Sequence, residues 1–467
     1  MTTSTEKLSI KTKLGYGIGQ MGDSIGFNVF YFFFLFFLTD VIGISPTIAG
    51  AISLIAVMWD AITDPIIGHC TDNMRSKRGR RRPFMLAAAI PYALIMFLLF
   101  NDVNFSETAK NGYFIIVSML FWTAYTAYVI PYFALGAEIT QDFEERTTLR
   151  VWASYFMYAA VLIASSTPPM IISMTEQAGG TAVDGWRNVG TTFGILILLV
   201  ILICWNSTKG KELSMADVPK SEFKDIFKSY GKIFKMKCVK PLAVSVLLWS
   251  CTSSLSSGGI VYLINNTLSY DAGIQSMVLA SLSIFAMVWL PVINKLAAKF
   301  DKKKVYMNGM IISAATLVVF YFIGFSSLFM LLAMIFIYCF GNSTYWTLYY
   351  SMMYDITELG EFQTGERIEG AITALMSFCQ KLGAAFAMWL TGQVLAWGQY
   401  GIEGAVEATN KAIMLINTAL PGVFGIAAGL VVIMYPLTKT KFVAISNALE
   451  AKKAGKEYST EGFSDLL

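Results

Sequence analysis

The chain has 467 residues, of which 55% are hydrophobic and only 14% charged, with a mean hydropathy of +0.58. Soluble domains carry about a quarter charged residues, so this composition excludes an ordinary soluble globule and points to the bilayer as solvent. A net charge of +4 is too small to argue for nucleic acid, and no nucleic-acid partner is expected. The opening MTTSTEKLSIKTK lacks the charged, apolar and small-residue order of a cleaved signal, so the first apolar run is expected to remain a membrane helix.

Runs of about twenty apolar residues, enough to cross a hydrocarbon core of about 30 Å, are expected at 16–43, 47–70, 83–101, 111–138, 150–173 and 187–206. A second set follows at 240–266, 274–297, 304–325, 327–353, 368–397 and 411–436. Lipid offers no partner for backbone polar groups and the runs are too long for barrel strands, so these segments are helices. The predicted fold class is an all-α integral membrane protein of twelve transmembrane helices. It comprises a six-helix bundle over 1–206, a Lys-rich connector over 207–239, a second six-helix bundle over 240–437 and a tail over 438–467.

Short cytoplasmic loops collect Lys and Arg. The loop after the second span holds Arg75, Lys77, Arg78, Arg80, Arg81 and Arg82, and the connector and tail are also basic. NDVNFSETAK and TEQAGGTAVDG, on the other side, carry one lysine between them. Both termini are therefore expected inside. TDNMRSKRGRRRP after the second span and AKFDKKKVYMNG after the eighth repeat an acid followed by a basic cluster, with Asp72 and Asp301 separated by 301 − 72 = 229 residues. That paired placement resembles the loop signature of the major facilitator superfamily.

The strongest chemical signal is MWDAITDPIIGHCTD, where Asp60 and Asp64 are four residues apart and share a helix face. A charge at mid-membrane costs at least about 2.5–3.5 kcal/mol, so the pair is expected to bind a cation, share a proton or meet a basic partner. Lys381 in SFCQKLGAAFAMW offers such a basic group, as coupling residue or structural counter-charge. Asp23 lies in YGIGQMGDSIGF, where glycines permit close helix approach, and Glu138 at the end of the fourth span is read as a gate residue. In the tenth span, NSTYWTLYYSMMYD interleaves Tyr345, Trp346, Tyr349 and Tyr350 with hydroxyl residues, a pattern that suits either sugar stacking or ordinary helix packing.

Six scattered cysteines have neither zinc-site nor disulfide spacing, and the lone His69 has no second ligand near it. No phosphate-binding GxxxxGK[ST] loop occurs, which argues against ATP-driven pumping by this chain. One histidine beside a basic loop leaves no credible nucleophilic triad, so no enzyme is expected. No cofactor is expected, and no metal beyond sodium as a coupling cation, with a proton as the other choice.

KLGYGIGQMGD with FFLTDVIGIS, WDAITDP followed by RSKRGRRRPF, IPYFALGAEIT leading to EERTTLR, and DITELGEFQTGERIEGAITALMSFCQKLGAA together resemble the glycoside-pentoside-hexuronide cation symporters. The last stretch is most similar to the glucuronide carriers of that family, and YPLTKTKF agrees. The resemblance implies a major facilitator fold and symport of a small glycoside or uronide with a cation. By position it assigns Asp60, Asp64 and Thr126 to a cation site and Lys381 to coupling beside it. It places Tyr125, Phe133 and Trp346 at the sugar pocket, with Asp23 and Arg150 near further substrate positions. Asp72 and Arg78 on one side, and Asp355, Glu358, Glu361 and Arg367 on the other, match charged cytoplasmic gate ends.

Departures are specific. Val129 stands where melibiose permease has a sugar-binding aspartate, Ser24 stands at its first-helix aspartate, and the pocket arginine aligns near Ser154, one turn from Arg150. Melibiose is therefore not the expected solute, whereas the loss of a carboxylate suits an anionic sugar. A lysolipid or other amphipath symporter of the same fold is the alternative, and a non-transporting sensor or enzyme is further off. The lipid bilayer is the only other partner expected, with no obligate protein partner evident, and the family resemblance implies a bacterial inner membrane.

Overall fold

The computed structural model describes residues 8–74, 76, 79–140, 143–211, 233, 236–365 and 369–466. Arg78, Arg367 and most of the connector expected at 207–239 lie outside the described residues. Eleven helices among the described residues are long and apolar enough to cross a membrane. In chain order the helices are α1 Ile10–Val29, α2 Pro46–Asn73, α3 Arg82–Leu99, α4 Glu107–Glu138, α5 Phe143–Gln177 and α6 Ala182–Ser207. They continue as α7 Val239–Tyr262, α8 Ala272–Lys299, α9 Lys302–Ile323, α10 Leu328–Thr364 and α11 Glu369–Trp397. The last are α12 Val406–Met414, carried on through Leu420–Val431, and α13 Lys439–Lys453.

The first helix runs on beyond Val29 through π-turns at Phe30–Phe34 and Phe37–Val41 and supplies a twelfth crossing. Further π-turns extend α7 over Leu263–Thr267 and join the two parts of α12 over Leu415–Ala419. Several helices outrun the apolar stretches from which they are predicted. α5 begins seven residues before the expected 150 and α10 ends at Thr364, eleven beyond 353. Charged residues such as Glu358 and Glu361 are good enough helix formers to continue a helix outside hydrocarbon, so hydropathy sees only the middle.

Two compact units result. The first comprises 1–222, 260–283 and 388–403; the second comprises 223–259, 284–387 and 404–467. In the first unit α1 presents glycines to neighbouring aromatic side chains. A Cβ on Gly19 would lie 2.6 Å from Cys204 Sγ and 2.8 Å from the Tyr132 ring, and one on Gly26 would lie 1.7 Å from the Tyr92 oxygen. The close approach lets buried phenols reach the α1 backbone. Tyr92 donates to the Gly22 carbonyl at 3.1 Å, Tyr128 to Gly19 at 2.6 Å and Tyr132 to Tyr16 at 3.0 Å. Each carbonyl has a second lone pair for this bond, so a phenol is satisfied without breaking the helix ladder.

The second unit uses the same device where α11 crosses α7. A Cβ on Gly383 would sit 2.2 Å from the Leu247 carbonyl oxygen, which is backbone and cannot rotate away. Gly383→Ala is expected to cost about 1–3 kcal/mol by overpacking. The purified variant should melt several degrees below wild type, while Gly112→Ala, whose Cβ would meet nothing within 4 Å, should melt at or slightly above it. Equal melting of Gly383→Ala and wild type would show that the crossing is not tightly specified.

Candidate cation and solute site

α2 and α4 pack side by side in the first unit and bring three of the expected residues together. Thr126 Oγ1 lies 2.7 Å from Asp60 Oδ1 and 3.2 Å from Asp64 Oδ1, so the one hydroxyl proton is offered to both carboxylates. Asp60 is 1% exposed and Thr126 fully buried, whereas Asp64 is half-buried. Helical spacing sets the two carboxylates about 6 Å apart at Cβ, where two unit charges repel by about 3 kcal/mol at an effective dielectric of 20. A positive ion removes that repulsion. The donors are hard oxygens, which suit sodium, and either carboxylate suits a proton. Pro65 follows Asp64 inside α2 and has no N–H, so the Ala61 carbonyl loses its helical donor within the same turn. Among the described residues no group of three or more His, Cys, Asp and Glu side chains is placed to hold a metal.

One residue before Thr126, Tyr125 points its hydroxyl at a different acid. It donates to Asp23 Oδ1 at 2.6 Å, and Gln20 Nε2 donates to Asp23 Oδ2 at 2.6 Å. Both oxygens of Asp23 are thus oriented by protein donors, with the Ser24 hydroxyl also 3.5 Å from Oδ2. Gln20 has no role in the sequence reading; it stands three residues before Asp23 on α1, an i,i+3 spacing that could have flagged it. Arg150 on α5 places its guanidinium 5.6 Å from the centre of the Phe133 ring, and both side chains are exposed. Phe133 is thereby engaged from one side by a cation.

Lys381 on α11 and Trp346 on α10 belong to the second unit. Lys381 is half-buried among its own neighbours. Trp346 is also half-buried and lies edge-on to Tyr345 and Tyr349, with ring centroids 5.2 and 6.3 Å away. Tyr345 and Tyr349 are core residues of that unit, so the tenth-span aromatics are divided between packing and a partly accessible indole.

The charged ends form separate clusters. Arg81 joins Asp72 at 2.5 Å, Glu138 at 3.1 Å and the Thr71 hydroxyl at 2.8 Å, while Arg80 also pairs with Glu138. Arg80, Arg81 and Glu138 are all buried. The basic loop is therefore partly an internal ion network, with two acids from α2 and α4 converging on arginines that composition alone assigns to water. In the second unit Asp355 pairs with Lys302 at 2.9 Å and Glu361 with Lys453 at 2.6 Å, while Glu358 is half-buried.

One cluster has no counterpart in the sequence reading. At the far end of the first helix, Asp40 Oδ1 accepts from Tyr400 at 2.6 Å and Asn266 at 3.2 Å, and its Oδ2 accepts from Thr39 at 2.8 Å. Thr39 Oγ1 is also 2.8 Å from the buried Tyr262 hydroxyl. Asp40 stands in FFLTDVIGIS, but its partners are 226 and 360 residues away, a separation that no local spacing reveals.

A helical, multi-pass membrane protein with an acid pair beside a second oriented acid has the build of a solute carrier. The MFS/sugar transport protein family matches residues 15–439, and the chain belongs to that family, in its glycoside-pentoside-hexuronide branch. It is 30% identical to the uncharacterized symporter YjmB of Bacillus subtilis (strain 168), covering 97% of this chain and 98% of the relative. It is 24% identical to the putative glycoside/cation symporter YagG of Escherichia coli (strain K12), covering 96% and 97%. The fold is that of the D-xylose-proton symporter crystal structure, with a TM-score of 0.64 and 15% identity over 91% of this chain and 96% of that one. The chain is thus a transporter of the major facilitator superfamily that handles a small-molecule solute, and not an enzyme.

Proposed function

We propose that the protein is a symporter that couples entry of a cation, sodium or a proton, to uptake of a glycoside- or hexuronide-type sugar by alternating access. The observation that carries the reading is the neighbouring pair Tyr125 and Thr126, which turns one side chain to Asp23 and the next to Asp60 and Asp64. A cation drawn to the acid pair takes up the space that the Thr126 hydroxyl hydrogen fills, and the hydroxyl, keeping its proton, rotates to present a lone pair instead. The peptide that carries Thr126 also carries the hydroxyl that orients Asp23. Cation and solute then each favour the same local arrangement, and the coupling free energy is reciprocal. The sequence motifs support Lys381 as the coupling residue, and Phe133, Arg150 and Trp346 as sugar-facing groups. The motifs also support a cytoplasmic gate role for Asp72, Arg78, Asp355, Glu358, Glu361 and Arg367. The name of YagG and the sequence motifs support a glycosidic solute, and that of the inner membrane symporter YicJ of Escherichia coli (strain K12) supports a bacterial inner membrane. The basic loops support cytoplasmic termini.

Purified protein in liposomes tests the reading. Uptake of glucuronides, galactosides, xylosides and unsaturated uronides is measured under imposed sodium or proton gradients. At least one of these sugars should accumulate at least about tenfold above its gradient-free level, since cation and solute are linked. Failure of every sugar under both gradients would overturn the sugar reading.

A further inference from the structure

The chain segment after α13 folds back onto one face of the second unit, where the start of α7, the end of α10 and α13 meet. Phe463 is fully buried and Leu466 is 3% exposed, within a cluster that includes Ile233, Cys238, Phe362 and Ile445. The Phe362 ring is edge-on to both Phe463 and Tyr458, with centroids 5.2 and 5.5 Å away. Polar contacts surround these anchors. Gln363 Nε2 donates to the Leu466 carbonyl at 2.9 Å, Lys237 Nζ to the Asp465 carbonyl at 2.6 Å, and Lys441 Nζ pairs with the Asp465 carboxylate at 2.5 Å.

This arrangement differs from a helix packed into a bundle. The segment has no long secondary structure, only the short turn Ser464–Leu466, and Tyr458 remains 45% exposed. Two apolar side chains enter a cup, and backbone carbonyls and one acid are recognised at the rim by Gln363, Lys237 and Lys441. Those are the features of peptide recognition by anchor pockets with a basic rim. An extended segment held by two anchors and exposed ion pairs also belongs to the low-stability end of a structure, since exposed pairs contribute little.

We propose that this face is a releasable docking cup for a short peptide in which an aromatic anchor precedes an acid and a leucine, occupied here by Tyr458–Leu466 of the same chain. The cup accepts the segment through Phe463 and Leu466 and selects it through Asp465. Phe362 and Gln363, which hold the occupant, directly follow Glu361 in α10, so the occupant lies against the charged end of that helix. Cys238 forms part of the floor and is fully buried. Burial raises its thiol pKa from 9.0 to about 12, against a smaller lowering by Lys441. Covered and protonated, it reports on the occupant through its reaction with a maleimide.

The full chain, with Phe463→Ala and Leu466→Ala together, is treated with N-ethylmaleimide, and modification of Cys238 and of Cys379 is followed by mass spectrometry. Cys379 serves as a control in the same unit. Cys238 should react about tenfold faster than in wild type, with Cys379 unchanged. A synthetic peptide of residues 456–467 added to this variant should restore slow reaction, and the same peptide with alanine for Phe463 should not. Unchanged Cys238 reactivity would overturn the docking. Equal acceleration of Cys238 and Cys379 would overturn it too, because the segment would then be ordinary core. Acceleration that the peptide fails to reverse would overturn the claim that the cup takes a separate peptide. Should the double variant fail to fold, Asp465→Asn keeps both anchors and should still speed Cys238 about twofold; no change would count against selection by the acid. None of these readings depends on which solute is carried.

Discussion

Asp60→Asn and Asp64→Asn, each alone, should reduce gradient-driven accumulation at least about tenfold while solute binding or exchange persists. Each change removes one unit of negative charge and one anionic oxygen donor from a site where Asp60 is 1% exposed. A cation entering such a place recovers its desolvation only through close charged oxygens. One carboxylate with Thr126 is too weak a set to do so. Asp23 keeps its contacts to Tyr125 and Gln20, so the proposed sugar-facing acid is not dismantled. Pairing either change with Lys381→Ala separates two roles for the lysine. If it only balances the acids, the double variant regains stability but not accumulation. The measurement is the internal-to-external solute ratio in proteoliposomes, with equilibrium exchange as the control. Wild-type ratios in both single variants would place the coupling ion elsewhere.

Glu138→Ala should be the most destabilising charge change in the first unit. Glu138 is buried, and both Arg80 and Arg81 reach its carboxylate. Its removal leaves two buried guanidiniums short of a partner, a loss of about 3–5 kcal/mol. Asp72 still meets Arg81, which keeps the loss near the lower figure. Lys411→Ala provides the contrast, because its pair with Glu407 is 68% and 84% exposed and water replaces it. Melting of the purified proteins should drop by many degrees for Glu138→Ala and stay at the wild-type value for Lys411→Ala. A drop for neither would mean that water reaches the arginines and that the network is not a structural clamp.

The sequence displays the parts of this molecule that repeat or that lipid forbids. Twenty-residue apolar runs locate the helices, and a four-residue interval puts Asp60 and Asp64 on one face. The family motif adds Thr126, whose hydroxyl lies between the two acids. What stays hidden depends on contacts between distant segments. Arg81 reads as one of several loop charges until Asp72 and Glu138 are seen to converge on it. Asp40 reads as a helix end until Tyr400 and Asn266 arrive from far along the chain. The tail past Lys453 reads as a polar end, because two buried side chains among many hydrophilic ones leave no periodic trace. Arg78, Arg367 and most of the connector lie outside the described residues, so the expectations placed on them gain no support from geometry.

The π-turns of the first helix alter what any helical wheel of this chain would display. A regular helix advances about 100° per residue, so Asp40, fourteen residues after Gly26, would point within about 40° of it, toward the side where Tyr92 lies. Each π-turn admits one extra residue and slips the phase by about 100°. Two in succession, at Phe30–Phe34 and Phe37–Val41, swing the remaining side chains by about half a revolution. One continuous rod thus faces two different audiences: its glycines address α3, α4, α5 and α6, and its last turn addresses Tyr262, Asn266 and Tyr400. Losing a single residue within either turn would rotate that message away from its reader while leaving every amino acid of the motif in place.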